Sequence, residues 1–189
     1  MPIGGGPMVC FLGVFISTVD FNDPNQTAIE TDIYAGRTFR FNESEVELQL
    51  MYLAYDEDVP GPTYDFWQSG LTLKHPLDNS VGRSQLIANI VFSPEAPYGA
   101  GDSWQYRLRF DQSLNSWLRI EALAGYSQVH HRVDGTYWEF MLAAEWTRWT
   151  MHVGYVDTSA DRSQCGGNDS CAATWLVKLE RRFDPWTLP

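Results

Sequence analysis

The 189-residue chain contains no run of the roughly 18 to 20 apolar residues that a spanning helix requires, the longest candidate being Met8 to Ile16. A helical membrane protein is excluded; a membrane β-barrel is not, because its strands alternate lipid-facing and lumen-facing residues. Positive charge is scarce. Thirteen Lys and Arg stand against 24 Asp and Glu, a net charge of −11, so the average surface repels a phosphate backbone and no nucleic-acid partner is expected. Cysteine is sparse too, with three residues. Cys165 and Cys171 bracket the polar run Gly166 to Ser170, which either closes into a disulfide, pointing to an oxidising compartment, or carries two reduced thiols. Zinc needs about four ligands and none follows nearby at suitable spacing, so no metal or cofactor is expected. Cys10 lies in an apolar run and reads as a small packed hydrophobe. Met1 to Cys10 also lacks a positive n-region and a cleavage site, so no secretory signal is expected in the chain as written.

What the sequence does have is alternation. Trp104, Tyr106, Leu108 and Phe110 share one face of a segment whose other face carries Gln105, Arg107, Arg109 and Asp111. The same pattern recurs in segments of about ten residues separated by Asn, Asp, Pro, Gly and Ser. Ten strands are predicted, near 11–21, 28–39, 45–55, 63–75, 84–93, 103–111, 117–128, 136–147, 149–158 and 172–183. Residues 46–54 and 138–149 also fit a helical stripe, and regular turn spacing assigns both to strands. The organisation is an irregular N-terminus over 1–10, one β domain over 11–183 and a tail over 184–189.

Alternation permits either a soluble barrel with an apolar interior or a membrane barrel with an apolar exterior. Three features favour the second. Trp67, Trp104, Tyr126, Trp138, Trp146, Trp149 and Trp175 lie near strand ends, where interfacial girdles form. Arg and Glu occupy mid-strand positions on the opposite face. Connections alternate in length, Thr147-Arg148 being a tight turn while 93–102 and 159–171 are long.

The run Gly13 to Phe21, followed by Glu30, Asp32, Tyr34 and Gly36, resembles the front portion of the uncharacterised bacterial outer-membrane family Gcw_chp. Phe92-Ser93-Pro94, Gly125-Tyr126, Tyr155 to Thr158, Cys165, Cys171 and a last strand closing at Phe183 agree with it. The resemblance implies an exported outer-membrane barrel with no established activity and no catalytic residues to transfer. It further implies an export signal and two strands ahead of residue 11, for about twelve strands in full-length relatives.

Candidate sites follow from the faces. Arg107, Arg109, Arg119, Glu121, Glu139, Glu145, Lys178 and Glu180 are expected to form a lumen charge ladder, with Arg107 approaching Glu121 and Arg119 approaching Glu145. Such a ladder either constricts a pore or plugs a narrow barrel. Counting strands back from a periplasmic C-terminus gathers acids at the outer mouth: Asp23, Asp56, Glu57, Asp58, Glu95, Asp102, Asp134, Asp161 and Asp169. Asp56-Glu57-Asp58 offers hard oxygen ligands for divalent cations, or a solvated loop. Ser127, His130, His131 and Asp134 contain the ingredients of a hydrolase, without a diagnostic spacing or a G-x-S-x-G motif.

The favoured reading is an all-β, antiparallel, up-and-down transmembrane barrel of the bacterial outer membrane. It would be a non-enzymatic narrow pore or a structural and surface component, with lipid and small solutes or divalent cations as partners. The alternative is a soluble lipocalin-like barrel holding a small apolar ligand; a surface lipid hydrolase is the third reading.

Overall fold

A computed structural model describes residues 9–18, 29–56, 65–79, 82–96, 101–130, 134–160 and 172–181. Among them the regular structure is entirely strand: β1 (Val9–Thr18), β2 (Ile29–Phe41), β3 (Ser44–Tyr55), β4 (Phe66–Asn79), β5 (Gly82–Ser93), β6 (Ser103–Ser113), β7 (Leu118–Val129), β8 (Gly135–Trp146), β9 (Trp149–Thr158) and β10 (Thr174–Arg181). They form one sheet in sequence order, each strand hydrogen-bonded to its neighbours in the chain, an up-and-down antiparallel arrangement. Among the described residues no helix is long and apolar enough to cross a membrane, which says nothing of strands.

Both segments with a helical stripe are strands. Residues 44–55 pair on both sides, Gln49 standing between Gly36 and Gly70, and residues 137–146 pair with 149–158. Ladder partners for the backbone outweigh a stripe that helical spacing alone would support. β1 begins at Val9, so the N-terminal segment read as irregular contributes Val9 and Cys10 to the sheet. Cys10 is exposed rather than packed, because its parity places it with Leu12 and Val14 on the solvent-accessible face. Among the described residues the two-residue turns after β2 and β8 each have a left-handed first residue, Asn42 and Thr147, both at φ 54°.

The described residues pack into two compact units. The first comprises Met1–His75, Ile87–Arg107 and Tyr126–Asp134. In it β1 pairs with β2 from Val9↔Thr38 to Thr18↔Ile29, and β2 with β3 from Glu30↔Tyr55 to Phe41↔Ser44. Leu12, Val14 and Ile16 of β1 are exposed at 79%, 60% and 65%, while Asp32 on the other face of β2 is buried. Aromatic rings neighbour one another on the exposed face, with Phe92 against Trp104 at 4.6 Å and Tyr106 against Tyr126 at 6.3 Å between centroids.

The second unit comprises Pro76–Leu86, Leu108–Gly125 and Gly135–Pro189. Trp138, Phe140, Leu142 and Trp146 of β8 are exposed; Met141 and Ala143 between them are buried. β10 exposes Trp175, Val177 and Leu179. Its other face registers Lys178 against His152, and the β8–β9 ladder sets His152 against Ala143. In both units the apolar faces are the accessible ones, and the buried polar residues include Asp32, Glu121 and His152.

Candidate functional site

Glu121, on the inward-turned face of β7, is the hub of a charged network in the second unit. Its carboxylate is buried and receives Arg119 Nη2 at 2.7 Å and Arg109 Nη2 at 3.1 Å, with His152 Nδ1 at 3.4 Å. Strand parity explains the meeting, since Arg119 and Glu121 are two apart on one strand and side chains at that spacing share a face. Arg109 also donates through Nε and Nη2 to the two oxygens of Asp111, at 2.6 and 2.9 Å. Arg119 Nη1 pairs with Glu145. His152, 7% exposed, faces Glu180 with its second nitrogen at 3.3 Å, and Lys178 pairs with Glu180.

The result is a chain from Asp111 through Arg109, Glu121 and Arg119 to Glu145, branching through His152 to Glu180 and Lys178. A carboxylate buried this deeply is tolerable only with several donors around it, and Glu121 has two guanidinium groups. Glu139 lines a cavity of about 20 Å³ with Arg109 and Glu121.

Of the residues singled out from the sequence, this network joins Arg109, Arg119, Glu121, Glu145, Lys178 and Glu180. Arg107 does not meet Glu121 as expected; its guanidinium bonds Gln105, two residues back on its own strand. The β6–β7 hairpin is the cause. Leu114 N–H donates to Leu118 C=O at 2.9 Å, so the turn centres near residue 116 rather than 114; that register sets Asp111 opposite Glu121, and Arg109, two residues along the same face, reaches Glu121 diagonally. Asp111 and His152 were not singled out. His152 is an isolated histidine in an alternating strand, and its parity, opposite to that of the exposed Met151 and Val153, is the one signal that sets it on the buried face.

The acids expected at an outer mouth divide. Asp56 Oδ1 accepts the Ile29 N–H at 2.5 Å, so it caps the backbone where β2 begins. Glu57, Asp58, Asp23, Asp161, Asp169, Cys165 and Cys171 lie outside the described residues. Among the described residues no group of three or more His, Cys, Asp or Glu side chains is placed to hold a metal ion. Nearby in the first unit, Glu30 receives the hydroxyls of Tyr55 and Ser17, and Asp65 receives the Tyr52 hydroxyl at 2.8 Å and the Tyr55 N–H at 2.9 Å.

The suggested hydrolase residues are divided among other partners. His130 Nδ1 faces Asp102 at 3.1 Å, while Asp134 accepts from the Tyr126 hydroxyl at 2.7 Å and the Val129 N–H at 3.4 Å. His131 lies outside the described residues.

A family model for bacterial proteins of unknown function, Gcw_chp, matches residues 8–183. The chain belongs to the Gcw_chp family. No curated protein and no solved structure matches it. The match takes in all ten strands, so the charged network falls within the Gcw_chp region.

Proposed function

We propose that this Gcw_chp chain is a β-barrel of the bacterial outer membrane, with its apolar face toward lipid and its charged face toward the lumen. One observation carries the reading: large apolar side chains such as Leu12, Val14, Trp138, Trp175 and Val177 are exposed while Asp32, Glu121 and His152 are buried. Water selects the opposite arrangement, because each exposed apolar side chain forgoes about 1.5–3 kcal/mol of burial and each buried charge costs desolvation. Lipid removes the first cost and a narrow lumen of paired charges reduces the second.

Exposed tryptophans near strand ends, among them Trp67, Trp146 and Trp175, suit headgroup-level girdles. The alternative, a soluble barrel enclosing an apolar ligand, requires the apolar face inward. Within the membrane reading the Glu121 network crosslinks β6, β7, β8, β9 and β10, which suits a narrow, charge-filled interior better than a wide channel.

The test is refolding of the purified chain into detergent micelles. A barrel gives a folded species whose gel mobility shifts on boiling and which precipitates when detergent is withdrawn. A stable monomer in plain buffer would overturn the reading.

A further inference from the structure

Two adjoining cavities of about 610 and about 570 Å³ open at the end of the second unit where β4 gives way to β5 and β6 to β7. Gly82, Arg83, Ser113 and Arg119 line both. Their size is that of sites for small organic molecules. The charged groups around them are unequal. Asp111 is held by Arg109 through two hydrogen bonds, and Arg119 is held by Glu121 and Glu145. Arg83 is exposed and has no ion pair or hydrogen bond to its guanidinium among the described residues. Of the two guanidinium groups that line both chambers, Arg119 is engaged and Arg83 is open to a ligand.

We propose that this is a binding site for a small organic oxyanion, a carboxylate or phosphate carried on an apolar body, with Arg83 as the anion-recognising residue. A guanidinium presents a planar fork that matches either oxyanion through two parallel hydrogen bonds. The chambers supply the apolar surface, Pro76 and Leu77 in the first and the exposed Trp117 in the second.

The backbone beside Arg83 is fixed. Gly82 has φ 153°, and a Cβ there would collide with the Ser113 carbonyl oxygen, so the start of β5 lies tight against the end of β6. That close approach holds Arg83 at the rim of both chambers. A cationic solute has less to recognise, because Asp111 and Glu145 are already engaged. The site is drawn from side chains of the second unit alone and not from what meets the apolar face.

Titration calorimetry on the full chain folded in detergent, with benzoate, phenyl phosphate and benzylamine as probes, tests the proposal. Benzoate or phenyl phosphate is expected to bind saturably at one site and benzylamine not to bind; the tighter of the two anions identifies the headgroup. Arg83→Ala should weaken binding about tenfold or more, the usual consequence of losing charge-assisted hydrogen bonds, and Arg83→Lys by less. Circular dichroism on both variants verifies that they fold. Equal affinity in wild type and Arg83→Ala, or binding of benzylamine as tight as benzoate, would overturn it. A detergent-requiring, heat-modifiable protein that binds neither anion would sink the site and leave the membrane proposal standing.

Discussion

Tyr34 on β2 covers Gly13 on β1: the two are direct cross-strand partners, and the tyrosine ring fills the space where a Cβ on residue 13 would stand. A glycine inside a strand ordinarily weakens it, and here the neighbouring aromatic ring shields the bare backbone. Gly13→Ala must displace that ring. The expected loss is about 1–3 kcal/mol, the usual cost of overpacking, read as a lower denaturant midpoint in micelles. Gly13→Ala combined with Tyr34→Ala should lose less than the two single losses added together. Strict additivity would show that ring and glycine do not constrain each other.

The Glu121 hub predicts a non-additive set. Arg109→Ala with Arg119→Ala leaves a buried carboxylate facing His152 without either guanidinium, a change expected to cost about 3 kcal/mol or more. Adding Glu121→Gln removes the orphaned charge and should recover part of the loss. Chemical unfolding of the double and triple variants in one detergent measures the difference. A triple variant no more stable than the double would mean that Glu121 carries no desolvation cost in this site.

Faces were legible from the sequence and contacts only partly so. Parity along a strand is local, so Arg109, Arg119 and Glu121 could be assigned to one face without knowing any turn. Cross-strand partners depend on turn centres. Arg119 and Glu145, matched through the β7–β8 connection, do touch, whereas a two-residue displacement of the β6–β7 turn centre set Asp111 opposite Glu121 and left Arg109, not Arg107, within reach of it. His152 joined the site through registers on two sides, with Ala143 and with Lys178, and neither can be read from its own strand. The apolar exposure of β1, β8 and β10 could not be read from alternation, which fits either polarity.

Thr147 occupies the first position of the β8–β9 turn at φ 54°, a conformation that costs a β-branched residue far more than it costs glycine. Thr147→Gly is expected to stabilise the protein by about 1 kcal/mol, relief of backbone strain outweighing the extra unfolded-state entropy. Thermal melting in micelles is the measurement, with Thr147→Ala as the control that keeps the Cβ and so much of the strain. If the glycine variant melts at or below the alanine variant, the turn is not strained in the folded protein.

The polarity of the sheet itself makes the sharpest prediction. Val14 sits mid-strand on β1 and is 60% exposed, between Leu12 and Ile16 on the same face. If that face meets lipid, Val14→Lys places an ammonium near the hydrocarbon midplane and should destabilise by about 2–4 kcal/mol in bilayers. If it meets water, the lysine is solvated and the cost falls within about 0.5 kcal/mol, as for ordinary surface substitutions. Thr18→Lys, near the end of the same strand, gives the depth control: in lipid it should cost at most about 1 kcal/mol, because its ammonium reaches the headgroups. Unfolding in phospholipid vesicles therefore separates the two environments by a gradient along one strand. Equal small losses at residues 14 and 18 would place the exposed face of β1 in water and refute the membrane reading.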